Sequence, residues 1–293
     1  MLRCTLLASA GAMALTGAAL AADLPSRAPP PVFLPPAQVY SWTGLYVGIN
    51  AGYHWGGSTS QFTTTDTDGD AVGGGLGAAQ DFGLIPTTGA AGASGFIGGG
   101  GFGYNYQINS FVLGLEADFD GATGSGNSSA LLTTSALGFF IPPTLTQSQQ
   151  RLDWLGTLRG RIGWTPIDRL LIYGTGGLAF GQSTASFSVV NTLGFFPPLS
   201  AFASSSTSVG WTAGGGLEYA LPDNWSNWSV KVEYLYYDLG HTTGTVSYQN
   251  IDITGASEFS TLSSHTRHNG NIVRAGLNYK FNWWAPAPIV AKY

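Results

Sequence analysis

Apolar and polar residues alternate in eight separate segments of this chain, and this pattern limits the possible folds more than any other feature. Alternation with a period of two is typical of β-strands that present one face to an apolar surrounding and the other to a polar one. Short connections with turn residues alternate with long stretches of Gly, Ser and Thr, an order that predicts antiparallel neighbours. The predicted strands lie near 43–55, 94–107, 111–119, 152–164, 170–182, 208–220, 228–238 and 271–281.

The composition indicates what surrounds these strands. Only 9% of the residues are charged, against roughly 25% in soluble domains. The one apolar run that approaches the roughly 18 residues of a membrane helix is at the N-terminus, and a closed barrel is the other structure that satisfies backbone groups in lipid. The sequence therefore predicts an all-β fold, an eight-stranded antiparallel transmembrane β-barrel with short periplasmic turns and four long external loops. These loops are predicted to begin near Gly56, Asp120, Ser183 and Leu239.

The two ends of the chain differ from the alternating region. A basic start at Arg3, an apolar run and a small-residue site ending at Ala21 are typical of a cleaved secretory signal peptide. Six prolines follow before the first strand and favour an extended segment. The expected division is a signal peptide at 1–21, a Pro-rich periplasmic lead-in at 22–42, an outer-membrane barrel at 43–281 and a C-terminal tail at 282–293.

Cysteine content and charge exclude several functions. The single cysteine, Cys4, lies in the predicted signal, so the exported chain has no thiol for a disulfide or a cysteine-based metal site. The formal net charge of −5 gives no electrostatic basis for nucleic-acid binding. We expect no cofactor.

The predicted strand faces distinguish a lipid side from a lumen side. In the fourth strand, Trp154 and Trp164 fall on the apolar face, ten residues apart. This spacing would put one ring at each membrane interface, where barrels carry aromatic girdles. The predicted girdle consists of Trp55, Trp154, Trp164, Trp211 and Trp228.

The same alternation sends a mixed set of charges into the lumen. On the lipid face each would cost about 2–4 kcal/mol near the midplane, and an eight-stranded barrel is only wide enough to be filled by side chains. We therefore predict an ion-pair network that stabilises the barrel and obstructs a water channel; a charged constriction in a small-solute pore is the alternative. The predicted members are Glu116, Asp118, Arg159, Arg161, Glu218, Lys231, Glu233, Arg274 and Lys280.

The four histidines suggest a second alternative. They fall at predicted external strand ends or in the last loop, where they could cluster at the rim as a metal binder or a hydrolase would require. No sequence spacing enforces such a cluster, so we expect neither a metal nor a catalytic residue, and no enzyme activity. The residues are His54, His241, His265 and His268.

Five stretches resemble the small OmpA-like barrels of the alphaproteobacterial outer membrane, the RopB-type surface proteins of the porin family. They are "AADLPSRAPPP", "YSWTGLYVGINAGYHWG", "WLGTLRGRIGW", "VKVEYLYYDLG" and "VRAGLNYKFNW". The resemblance covers the chain except for the long loops. It implies an integral protein of the Gram-negative cell outer membrane with a structural or surface-antigen role.

The resemblance also implies partners. It indicates contacts with outer-membrane lipid and lipopolysaccharide, and at most modest porin-like activity; the oligomeric state is left open. Barrels of this kind commonly end on an aromatic residue that the outer-membrane assembly machinery recognises. Phe281 occupies that place, and Tyr293, at the end of the sequence, is the alternative assembly signal.

Overall fold

The computed structural model describes residues 40–66, 80, 86–132, 144–191, 200–251 and 257–281. Within these ranges no helix has the length and apolarity needed to cross a membrane. The strands are β1 (Gly44–Asp66), β2 (Thr88–Ala91), β3 (Ser94–Ile108), β4 (Phe111–Ala122), β5 (Gly126–Leu132), β6 (Thr144–Ile167), β7 (Leu170–Asn191), β8 (Ser200–Ala220), β9 (Trp228–Ile251) and β10 (Ser257–Lys280).

Eight of these strands form a closed antiparallel ring. Their order is β1, β3, β4, β6, β7, β8, β9 and β10, and β10 pairs back to β1. The closing ladder runs from Tyr46 opposite Lys280 to Asp66 opposite Ser260. Because every strand of the ring has a neighbour on both sides, the backbone groups at this level are satisfied within the wall. The predicted eight-stranded antiparallel barrel is confirmed.

The short connections lie where the sequence predicts them. Only Asn109 and Ser110 separate β3 from β4, and only Asp168 and Arg169 separate β6 from β7. Asn109 has a φ of 54°, a left-handed conformation that asparagine tolerates in turns. The β8 to β9 connection contains a short 3-10 helix, Asp223–Trp225.

The predicted starting points of the external loops are wrong, because the ladders continue past them. β1 extends to Asp66, β7 to Asn191 and β9 to Ile251. The short β2 pairs with β1 and β5 pairs with β6, which prolongs the wall outward. In these stretches Ser, Thr and Gly occupy both faces and remove the apolar contrast that marks a strand in sequence, although backbone pairing continues.

The external wall has a seam between β8 and β9. Their ladder ends at Trp211 opposite Asp238, and further out β8 pairs with β7 while β9 pairs with β10. The divergence begins near Gly240, whose φ of 76° is accessible to glycine without steric cost. A bulge in the β9–β10 ladder between Arg267 and Asn269 lies at the same level and bends the wall there.

Candidate functional site

Glycines on β3 make room for acidic side chains in the lumen. Gly99 and Gly101 of β3 pair with Asp120 and Asp118 of β4. A Cβ on Gly99 would stand 2.6 Å from Oδ1 of Asp120, and one on Gly101 would stand 2.8 Å from Oδ1 of Asp118. Each carboxylate therefore lies over a glycine, which explains two of the four consecutive glycines of β3, Gly99 and Gly101.

Arg159 is at the centre of the charged layer. Its Nη1 donates to Glu233 at 2.9 Å, and its Nη2 donates to Asp118 at 2.5 Å and to Glu116 at 3.1 Å. The guanidinium is buried together with all three carboxylates. Its fork geometry lets one cation bind several acids at once.

Arg274 joins the outer side of this layer. It donates to Glu233 at 2.6 Å, to Asp118 at 3.1 Å and to Asp120 at 2.6 Å. Asp120 was not among the predicted lumen residues, because the sequence placed it at the start of a loop. Its even position, in phase with Glu116 and Asp118, was the signal that could have identified it.

Arg161 and Lys231 complete the inner side. Arg161 donates to Glu218, and its guanidinium carbon lies 3.6 Å from the ring centroid of Tyr173. The ammonium of Lys231 donates to Glu116. Both cations lie closer to the periplasmic end than Arg274 and Asp120: Arg161 is opposite Gly114 of β4, and Lys231 is opposite Gly276, two residues nearer the mouth than Arg274.

Glu218 has neutral partners as well. It accepts hydrogen bonds from the Ser229 hydroxyl at 2.5 Å and from the Asn278 amide at 2.8 Å. The Tyr46 hydroxyl likewise donates to Glu116 at 2.7 Å. Uncharged donors thus form hydrogen bonds with carboxylate oxygens of Glu218 and Glu116 in addition to those formed by the cations.

Lys280, the ninth predicted member, does not join the network, and that assignment is wrong. Its ammonium donates to the carbonyl of Ser41 and lies 4.1 Å from the ring centroid of Tyr40. The physical reason is its height: Lys280 opposes Tyr46 in the last pair of the closing ladder, at the periplasmic mouth. There the segment before β1 offers nearer partners than the lumen carboxylates.

Two apolar layers enclose the charged layer. On the periplasmic side Trp42 enters the mouth, and its indole Nε1 donates to the carbonyl of Asp168 at 3.1 Å. This inner apolar layer consists of Trp42, Val112, Leu171, Tyr173 and Ala220. The outer apolar layer, on the external side, consists of Ile97, Leu152, Leu155, Ala179, Leu235, Tyr237, Leu239 and Ile272.

Little space remains among the charges. The void bordered by Asn50, Glu116, Asp118 and Lys231 has no room for a water-sized sphere. The void beside Leu152, Tyr237 and His268 measures about 20 Å³, roughly the space of one water molecule. In its described residues the lumen is therefore packed like a protein core.

The outer surface carries a continuous apolar band. Leu158 and Ile162 point outward and are 52% and 66% exposed. Trp154 stacks on Phe119 with ring centroids 5.3 Å apart, and Trp211 lies 5.3 Å from Tyr236. All five predicted girdle tryptophans lie on this outward face: Trp55, Trp154 and Trp211 towards the external end, and Trp164 and Trp228 towards the periplasmic end.

The four histidines do not form one rim cluster. His54 is fully buried, with Nε2 2.9 Å from the carbonyl oxygen of Thr123, and His268 is also buried. His241 and His265 are exposed on the outer face, with ring centroids 5.7 Å apart. The alternation of strand faces separates the two pairs, and within the described residues no group of three or more His, Cys, Asp or Glu side chains could hold a metal ion.

Comparisons with known proteins identify relatives of this chain and structures that are similar to it. The 31 kDa outer-membrane immunogenic protein of Brucella melitensis is 37% identical over 281 residues, which cover 96% of this chain and 100% of that protein. The 25 kDa outer-membrane immunogenic protein of Brucella abortus is 27% identical over 96% of this chain and 99% of its own length. The crystal structure of OprG from Pseudomonas aeruginosa covers 82% of this chain and 96% of that chain, with 14% identity and a TM-score of 0.40.

The sequence profile of the family described as "Outer membrane protein beta-barrel domain" matches residues 7–281. This match spans most of the chain, and the Brucella relatives are outer-membrane proteins by name. The chain therefore belongs to the outer membrane protein β-barrel domain family and is located in the cell outer membrane.

Proposed function

We propose that this protein is a closed structural barrel of the outer membrane that presents its external wall as a surface antigen. The observation that carries the proposal is the order of layers in the lumen. A charged layer lies between two apolar layers, with Trp42 in the inner one and Leu155 in the outer one. A solute crossing the barrel would have to pass all three.

The layers oppose conduction for different reasons. An apolar constriction excludes water and ions by dewetting. In the charged layer, Arg159 and Arg274 are bound to several carboxylates each, and removing one partner of a buried ion pair leaves an uncompensated charge. A channel would therefore have to disrupt the interactions that hold the barrel together.

The surface role is supported by the relatives and by the external wall. Both Brucella proteins are named as immunogenic, which means that an immune response recognises them. In this chain β1, β7 and β9 extend well beyond the outer tryptophans. These extensions are the candidate epitopes.

Lipopolysaccharide is the proposed partner of the external wall next to the membrane. A groove of about 520 Å³ on the outward face is lined by Gly57, Thr59, Gln61, His241, His265, Arg267 and Asn269. Arg267 is four residues beyond Asn271, which pairs with Trp55. This separation puts the Cα of Arg267 about 10 Å above the outer girdle, and its guanidinium donates to Asp238 at 2.5 Å. Lipid phosphates lie near this level, and basic side chains attract them.

Conductance in a planar bilayer tests the closed barrel. The refolded protein, checked by its heat-modifiable gel shift, is compared with the variant Arg159→Ala with Arg161→Ala and with a known porin as the conducting control. We expect the folded wild-type barrel to be silent. Reproducible conductance steps in the wild type that change in the double variant would favour the small-solute channel instead.

Binding to vesicles that contain lipopolysaccharide tests the partner. We expect the variant His241→Ala with His265→Ala to bind less than the wild type, since two groove donors are lost. Arg151→Ala is the matched control, because Arg151 is another exposed external cation, paired with Asp153 and not among the residues that line the groove. Equal binding by all three proteins would count against the groove.

A further inference from the structure

The charged layer of the lumen has one acid more than it has bases. Among the described residues its basic members are Arg159, Arg161, Lys231 and Arg274, and its acidic members are Glu116, Asp118, Asp120, Glu218 and Glu233. All nine are buried. If every acid were ionised, the layer would carry a net charge of −1, which a water-excluding interior strongly disfavours.

The excess is localised at Asp120. Glu116 accepts ion pairs from three cations, and Asp118 and Glu233 from two each. Glu218 pairs with Arg161 and accepts two further hydrogen bonds. Asp120 uses only Oδ2, towards Arg274, while its Oδ1 is buried with no hydrogen-bond partner.

The neighbouring residue Asn50 has a second buried oxygen without a partner. Asn50 on β1, Gly99 on β3 and Asp120 on β4 are in register across three strands. Oδ1 of Asp120 lies over Gly99, and the Asn50 amide interacts with the Asp120 carboxylate. The Oδ1 atom of Asn50 is also buried and has no donor. Two buried acceptor oxygens on interacting side chains are unfavourable unless a donor reaches them.

We propose that Asp120 is a carboxylic acid in the folded barrel, with a proton on Oδ1 that it donates to Oδ1 of Asn50. This single proton removes the excess negative charge and gives both orphan oxygens a hydrogen bond. Oδ2 of Asp120 still accepts from Arg274. A proton fits better than a metal ion, because the void bordered by Asn50 has no room for a water-sized sphere.

The charged groups around Asp120 are consistent with this assignment. Arg274 on β10 and Arg159 on β6 are already bound to Glu233 on β9 and to Asp118 on β4. Arg274 divides its single charge among Asp120, Asp118 and Glu233, and Arg159 is likewise shared among three acids. On the external side of Asn50, the nearest titratable side chain on the same face of β1 is His54, so the experiment must separate Asp120 from His54.

The proposal makes the stability of the barrel depend on pH in a defined direction. Above about pH 4 the unfolded chain releases this proton, because a free Asp ionises there, while the folded barrel retains it. Release of this one proton on unfolding should then raise the unfolding equilibrium constant by about tenfold for each unit of increasing pH. Asp120→Asn, an isosteric neutral side chain, should remove that dependence.

The experiment is urea unfolding in lipid vesicles between pH 5 and pH 9. In this range about a tenth or less of an aspartate in the unfolded chain is protonated. Asp120→Asn is compared with the wild type, with Asp118→Asn as the matched control that removes a fully paired carboxylate from the same strand. We expect Asp120→Asn to be at least as stable as the wild type, with the difference growing as pH rises. Asp118→Asn should unfold far more readily at every pH.

Infrared spectroscopy of the folded barrel gives a second readout that does not depend on unfolding. The carbonyl stretch of a protonated carboxylic acid should be present at neutral pH in the wild type and absent in Asp120→Asn. Loss of stability in Asp120→Asn equal to that in Asp118→Asn would overturn the proposal. The proposal would also be overturned if the pH dependence of unfolding disappeared in His54→Gln. A free energy of unfolding that rises with Na⁺ at constant ionic strength would overturn it as well.

Discussion

The guanidinium of Arg161 lies over the ring of Tyr173, with 3.6 Å between its carbon and the ring centroid. This contact joins the charged layer to the inner apolar layer, because Tyr173 belongs to the latter and its hydroxyl donates to Glu233 at 3.1 Å. An aromatic face can accept a cation without needing a further charge. Tyr173 therefore connects the two layers, through its ring contact with Arg161 and its hydrogen bond to Glu233.

This relationship predicts unequal losses for its two members. Arg161→Ala should lower the free energy of unfolding by about 3–5 kcal/mol, because Glu218 then remains buried without its cation. Tyr173→Phe keeps the ring and should cost only about 1.5–3 kcal/mol, for one hydrogen bond to a charged group. Urea midpoints in vesicles measure both, and equal losses would contradict the layered arrangement.

Neighbouring glycines on β7 should respond oppositely to the same substitution. A Cβ on Gly177, which faces the lumen, would stand 2.1 Å from the carbonyl oxygen of Leu158, whereas one on Gly176, which faces outward, would be 3.6 Å from the nearest atom. Gly177→Ala should destabilise the barrel by about 1–3 kcal/mol through overpacking. Gly176→Ala should be neutral or slightly stabilising, and it serves as the control in the same unfolding assay.

The outward face predicts a dependence on depth. Leu158 lies near the middle of the span between Trp154 and Trp164, and Leu158→Arg should cost about 2–4 kcal/mol. Thr59→Arg, four residues beyond Trp55, should change stability by less than about 1 kcal/mol. The comparison is made by unfolding in vesicles, and a large cost at Thr59 with none at Leu158 would place the membrane elsewhere on the wall.

The last strand predicts where the assembly signal lies. The backbone N–H of Phe281 donates to the carbonyl of Leu45 at 2.8 Å, and its ring meets Tyr279 edge to face at 5.2 Å. Phe281 therefore ends the β10 edge that closes the barrel. We expect Phe281→Ala to reduce the heat-modifiable fraction assembled in cells several-fold, and Tyr293→Ala to leave it unchanged. The opposite result would assign the signal to the tail.

Much of the barrel wall could be predicted from the sequence, because a strand in contact with lipid must alternate. The phase of Leu158 and Ile162 against Arg159 and Arg161 was enough to assign the two faces of β6. Asp153 shows the limit of this reasoning. The sequence places it inward, but a bulge between Leu152 and Trp154 shifts the phase there and leaves Asp153 half-buried beside Arg151.

The external strands were not predictable in the same way. Beyond Trp55 the inner face of β1 stays buried, but small polar side chains such as Ser58 and Ser60 occupy it. The contrast between apolar and polar faces that identifies β1 below Trp55 is therefore absent above it. The expected signal peptide, the lead-in before Tyr40 and the tail after Phe281 lie outside the described residues, and their boundaries stay predictions.

By itself the sequence determined the membrane-spanning strands, most of their inward and outward faces and all the charges of the buried layer except Asp120, because period-two alternation is a local property of the chain. Only the tertiary structure decided which charges meet. Arg274 and Asp120 are 154 positions apart and become partners because the ring closes and β3 has glycines between β1 and β4. The two apolar layers and the orphan oxygens of Asn50 and Asp120 arise from the same closure, since each layer is assembled from strands far apart in the chain.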